Sequence, residues 1–172
     1  MNKKTKYNLI GLATAVLLIA LDQWTKVLAV KHLMNQQPFV IWDGVFELHY
    51  LENRGAAFGI LQGQKVIFLI CTVLILAVLA FYYNRMPLEK KYQPLRVVGV
   101  LLGAGAVGNL IDRALQGYVV DMFNVLFMDF AIFNVADICV VVGGIAACVY
   151  YVFFYEKLEG KGTLHEHADA DR

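Results

Sequence analysis

Eight residues in or beside long apolar runs have the side chains that chemistry would need: Asp22, Asn53, Asn109, Asp112, Asp121, Asp129, Asn134 and Asp137. Other chemistries fall away by residue type. The 172-residue chain contains no serine, which excludes a serine nucleophile and any GxSxG elbow. His32 and His49 are expected in the loop after the first apolar run, His165 and His167 in the carboxyl tail, and no HExxH motif occurs. Cys71, Cys139 and Cys148 sit inside apolar runs without CxxC spacing, so they read as small packing residues. His165-Glu166-His167 in a polar tail makes a poor metal site, and neither a metal nor another cofactor is expected.

The acids differ in their local partners. Asp22 has Lys26 four residues on, and Asp112 adjoins Arg113, so each is expected to form an ion pair and remain ionised. Asp121 and Asp137 have no cation near them in sequence, and a long uncharged run follows Asp137. Ionisable groups at membrane depth are costly and usually functional. Two acids meeting in a poorly hydrated site cannot both ionise comfortably, so one retains a proton. One can then activate water while the other supports the oxyanion formed from a peptide carbonyl, as in an aspartic protease. Asn134 precedes Asp137 by three residues and Asn109 precedes Asp112 by three, which on helices places each pair on one face. Asp129 reads as an exposed loop residue, though spacing alone does not reject it. The Asp121/Asp137 pair could equally be a buried polar network that locks helices together. The residues alone leave both readings open.

These groups need elements to hold them. The chain is 59% hydrophobic and 17% charged, whereas soluble domains carry about a quarter charged residues. Residues 7–24, 66–83, 95–111 and 132–154 can each span a bilayer, which takes roughly 20 mostly apolar residues. The first run ends in Asp22-Gln23-Trp24-Thr25-Lys26 instead of a small-residue cleavage site, so it reads as a span and not as a cleaved leader. Lys3, Lys4 and Lys6, then Arg85, Lys90 and Lys91, then Lys157 and Lys161 place both termini in the cytoplasm. Lys31, Arg54 and Lys65 in the first outer loop run against that rule. Within that loop, residues 39–42 and 45–50 read as strands around a two-residue Asp43-Gly44 turn with positive φ at both positions. Gly99/Gly103 and Ala104/Gly108 give the third span small residues at helix-contact spacing. The expected fold is therefore an all-α membrane protein of four transmembrane helices, with a small extracytoplasmic β-hairpin or sheet platform. One domain covers residues 1–160, and a polar, disordered cytoplasmic tail covers 161–172. The net charge of +1 gives no sign of a nucleic-acid partner.

Five blocks, in order, resemble the bacterial lipoprotein signal peptidase (signal peptidase II) family over nearly the whole chain except the tail. They are Asp22-Gln23-Trp24-Thr25-Lys26, Asn53-Arg54-Gly55-Ala56-Ala57-Phe58-Gly59, Gly105-Ala106-Val107-Gly108-Asn109-Leu110-Ile111-Asp112-Arg113, Val120-Asp121 and Phe133-Asn134-Val135-Ala136-Asp137. The resemblance implies an intramembrane aspartic endopeptidase with Asp121 and Asp137 as its catalytic dyad. It further implies that Asn53, Asn109, Arg113 and Asn134 line the substrate site, supported by Asp22, Lys26, Gly55 and Asp112. The implied substrates are prolipoproteins, cut before a diacylglyceryl-modified cysteine by a monomer in the bacterial cytoplasmic membrane, near its outer face. Membrane lipid and globomycin-type peptide inhibitors are the other implied partners. Ala104 and Met122 depart from the family's usual glycine and phenylalanine, which puts helix packing or acyl-chain contacts in question. The residues also admit a metal-dependent membrane transferase using the Asp/Asn cluster, or a proton or ion pathway. Sensitivity to chelator would mark the first, and proton flux in vesicles the second.

Overall fold

A computed structural model describes residues 2–55 and 65–155. The segment 56–59 of the second matching block, Lys157, Lys161 and the tail with His165-Glu166-His167 lie outside the described residues. Four helices are long and apolar enough to cross a membrane: α1 (Lys3–Leu33), α2 (Lys65–Arg85), α3 (Gln93–Leu115, entered through a short 3-10 turn at Lys90–Tyr92) and α4 (Val135–Tyr150, which runs on in a wider turn at Tyr151–Tyr155). Three strands, β1 (Phe39–Trp42), β2 (Phe46–Asn53) and β3 (Val119–Val125), form an antiparallel sheet in that order.

The first span is longer than its apolar run suggested. At 31 residues, α1 is about 46 Å long at 1.5 Å per residue, well beyond a hydrocarbon core of about 30 Å. It therefore continues through Asp22 and Lys26 to the sheet, and carries Lys31 and His32 in its last turn instead of releasing them to a loop. The fourth helix starts later than expected. Asn134 is its N-cap and not part of it: the Asn134 side chain accepts from Asp137 N at 3.0 Å, and Asp137 Oδ2 accepts from Asn134 N at 3.1 Å. That reciprocal pair satisfies two amides that would otherwise be orphaned at membrane depth.

The hairpin is present, with a different turn. Asp43, Gly44 and Val45 form a three-residue loop between Trp42 and Phe46, closed by Val45 N donating to Trp42 O at 3.0 Å. Only Gly44 has positive φ (67°); Asp43 does not. The register slip between Val40 and Trp42 absorbs the extra residue. β2 runs on to Asn53 and pairs with β3, Leu51 opposite Asp121 and Asn53 opposite Val119. A strand distant in sequence thus brings Asp121 beside Asn53.

Helix α3 packs against each of the other three helices. The tightest approaches on α3 occur at Gly105 and Gly108, and a methyl group at Gly99 would lie 3.2 Å from the Tyr83 ring. A methyl group at Gly105 would collide with the Ala136 carbonyl, and one at Gly108 would lie 2.7 Å from Asp22 Oδ2 and 3.1 Å from the Ala136 Cβ. At Gly103 it would meet nothing. The interior that results holds charged and polar side chains beside small apolar ones such as Ala29, Ala104 and Ala136. Asp22, Lys26, Arg96, Asp112, Asp121 and Asn134 are buried, whereas Leu17, Val66 and Ile145 are exposed on the outer faces of their helices. That inversion suits lipid as the surrounding solvent.

Candidate active site

β3 alternates its faces. Val120 and Met122 turn into a buried cluster with Ala29 of α1, while Val119 and Asp121 line a cavity of about 400 Å³. Met122 is therefore directed away from that cavity, so its departure from the family pattern bears on packing against α1. Asn53, Asn109, Arg113, Asp121 and Asp137 all line the cavity, and Phe130, Phe133, Ile138, Val140 and Val141 supply apolar wall. Ile138, Val140, Val141 and Val142 are also exposed along the outer face of α4, so the cavity extends towards the lipid-facing side.

The two unpaired acids meet through Asn134. Its Nδ2 donates to Asp121 Oδ1 at 2.6 Å, and its backbone N donates to Asp137 Oδ2. Each acid has a second amide donor: Asn53 Nδ2 to Asp121 Oδ2 at 2.9 Å, and Asn109 Nδ2 to Asp137 Oδ1 at 2.8 Å. Burial pushes the Asp121 carboxyl up to about 6; the Asn53 hydrogen bond pulls against this, and the Asp137 charge adds to it. The amides thus orient both carboxylates, while burial and the Asp137 charge favour a proton on Asp121.

A second layer fixes those amides. Lys26 Nζ lies 2.8 Å from Asp22 Oδ2, 3.0 Å from Asp112 Oδ2 and 2.9 Å from Asn109 Oδ1. With its oxygen held by the ammonium, Asn109 must present its NH₂ to Asp137. The expected pairing of Asp112 with its neighbour Arg113 is therefore corrected. Adjacent residues on a helix point in directions about 100° apart, so Asp112 reaches inward to Lys26 and to Val120 N (3.1 Å). Arg113 instead faces the cavity, where Nη2 donates to Gly55 O at 3.1 Å and the guanidinium lies 4.9 Å from the Phe68 ring centre. Gly55 N donates to Asn53 Oδ1 at 3.0 Å, which fixes the amide that faces Asp121. Asp22 Oδ1 accepts from Ala136 N at 2.8 Å and so ties α1 to the start of α4.

All ten residues singled out in the sequence converge on this end of the bundle. Asp129 does not, being exposed in the turn after β3. One participant had no role assigned from sequence: Gln23 Nε2 donates to Asp112 Oδ1 at 3.0 Å and to Gly108 O at 3.2 Å. Its cue was a neutral amide next to Asp22 where the apolar run of α1 ends.

Residues 14–154 match the family model described as signal peptidase (SPase) II. The chain belongs to the signal peptidase II family. It is 47% identical over 138 residues to a lipoprotein signal peptidase of Streptococcus thermophilus, covering 78% of this chain and 87% of the relative. A lipoprotein signal peptidase of Clostridioides difficile is 42% identical over 142 residues, covering 83% and 94%. A bacterial membrane enzyme solved by the in meso method at 1.9 Å superposes with a TM-score of 0.73 at 32% identity, covering 84% of this chain and 94% of that one. Family membership makes this multi-pass membrane protein a protease.

Proposed function

We propose that this signal peptidase, which removes signal peptides from prolipoproteins, works as an aspartic endopeptidase that cuts before a diacylglyceryl-modified cysteine, with Asp121 and Asp137 as the catalytic pair. The observation that carries this reading is the placement of both acids on one apolar-walled cavity, held in register by Asn134. One carboxylate takes a proton from the attacking water. The other, protonated, donates to the carbonyl oxygen of the scissile bond and takes that proton back as the tetrahedral intermediate collapses, while the first hands the water-derived proton to the leaving amine. Such a pair titrates as a unit, with one proton shared.

The remaining cavity residues suit the substrate. Arg113 presents donors beside the dyad, and the α4 wall offers apolar surface continuous with the lipid-facing side, where a diacylglyceryl chain is at home. Asp22, Lys26, Gly55 and Asp112 act indirectly, by fixing Asn53, Asn109 and the start of α4. The lysines and arginines at the opposite end of the bundle support a cytoplasmic placement there, with the dyad facing the outer leaflet and the hairpin above it on that side. Protease cleavage of the hairpin from the cytoplasmic side would contradict that orientation. The same dyad would be the target of globomycin-type inhibitors, and the monomer contains every group used here.

The test is cleavage of a diacylated and an unmodified precursor by purified protein. Asp121→Asn and Asp137→Asn should each abolish cleavage while leaving insertion and folding intact. Asp129→Asn should cut at the normal rate, and chelator should have no effect. Substantial activity in either dyad variant would remove the aspartic mechanism.

A further inference from the structure

A second cavity, of about 250 Å³, lies at the far end of the bundle, where the start of α1, the end of α2 and the start of α3 meet. Its polar residues include Tyr7, Tyr83, Gln93 and Arg96. The Arg96 side chain is enclosed, with the residue only 4% exposed. Nη2 donates to Met86 O at 2.7 Å, and the guanidinium lies 5.0 Å from the Tyr83 ring centre and 6.0 Å from that of Tyr7. Among the described residues, Nε and Nη1 have no hydrogen-bond partner, and no acid pairs with the guanidinium. Nor does an acid among the described residues line the cavity.

A buried guanidinium with two free donors and no counter-ion is costly, and its planar fork matches phosphate oxygens. The remaining walls decide what carries the phosphate. Ile10 and Val97 border the cavity and are also exposed on the outer, lipid-facing surface, with Val100 and Leu101 behind them. A free ion would gain nothing from that apolar rim, whereas the glycerol and first acyl carbons of a lipid would be covered by it. A zwitterionic headgroup would find no carboxylate among the described residues there for its ammonium. We propose that this cavity binds the phosphate of an anionic phospholipid in the leaflet opposite the dyad, with Arg96 as the counter-ion.

The test uses the full chain, stripped of lipid in mild detergent, and follows its thermal unfolding midpoint against added phosphatidylglycerol, phosphatidylcholine or inorganic phosphate. Phosphatidylglycerol should raise the midpoint saturably, since a ligand of the native state stabilises it. The other two should not. Arg96→Gln should weaken the response roughly tenfold or more in lipid concentration, with Arg96→Lys intermediate. Val97→Trp keeps the guanidinium but blocks the rim, so it should also lose the response, and it decides the matter if Arg96→Gln fails to fold. A wild-type response in Val97→Trp or Arg96→Gln overturns the proposal, as does an equal shift with phosphatidylcholine. An equal shift with inorganic phosphate would make it a small-anion site and overturn the lipid assignment.

Discussion

Lys26 and Arg96 are both cations buried inside the helix bundle, at opposite ends, and the protein treats them in opposite ways. Lys26 touches two carboxylates and an amide oxygen, all from this chain, and those partners are in turn held by Gln23, Val120 N and Ala136 N. Arg96 has one carbonyl and two ring faces. The first arrangement is closed, with donors and acceptors matched internally, so it can serve as a rigid frame for the acids above it. The second leaves charge uncompensated, which is what a site for an outside anion requires. The same residue property, a positive charge at membrane depth, therefore marks scaffold at one end and recognition at the other. The partners decide which.

The most disruptive way to break the comparison is Lys26→Met. It would leave Asp22 and Asp112 facing each other without a cation, and breaking a buried pair by removing one partner costs about 3–5 kcal/mol. The unfolding midpoint in detergent should fall by many degrees, and cleavage should be lost with the alignment of Asn109. A Lys26→Met protein as stable as wild type would show that this cluster is not the frame.

The contrast also explains what could be read in the sequence. Long uncharged runs made the four spans legible, because lipid forces helices to be apolar around their circumference. Elimination in a chain without serine makes the acids candidates, and the family resemblance singles out Asp121 and Asp137 from Asp129. Alternating apolar residues and a glycine revealed the hairpin, but β3 could not be seen: Val119–Val125 pairs with a strand from another part of the chain, and only that pairing defines it. Asn134 has the spacing of a helical neighbour of Asp137, yet acts as the cap, because one asparagine before an apolar run is consistent with both roles. Adjacency in sequence suggests Arg113 as the ion-pair partner of Asp112, but α3 turns the two side chains apart and Lys26 takes that place. Arg96 has the least cue of all. It follows a basic loop, and a cation there reads as an interfacial anchor until burial shows it enclosed.

A smaller effect sharpens the difference between paired and unpaired acids at the dyad end. The Asp121 carboxyl stands at about 6 in the folded protein against an ordinary value of 3.8. Between those values the folded state holds more protons than the unfolded one, so this group's contribution is fully present below about 4 and is lost as pH rises through about 6. The displacement of about two units corresponds to roughly 3 kcal/mol at most. Stability should therefore fall with rising pH over that window more steeply in wild type than in Asp121→Asn. Parallel pH profiles for the two proteins would contradict the protonated state on which the proposed chemistry depends.

The smallest expected effect is at Arg96 in the absence of lipid. Removing the guanidinium forfeits its hydrogen bond to Met86 O, which for a charged donor is worth about 1.5–3 kcal/mol. It also removes a buried charge with no carboxylate partner among the described residues, and replacing such a group with an apolar one is often neutral or stabilising. The two terms oppose each other, so Arg96→Leu in lipid-free detergent should unfold within about 1 kcal/mol of wild type, the reverse of Lys26→Met. If Arg96→Leu instead proved as damaging as Lys26→Met under those conditions, the guanidinium would have counter-charges within the chain. Both cations would then be scaffold, and the distinction between the two ends of the bundle would disappear.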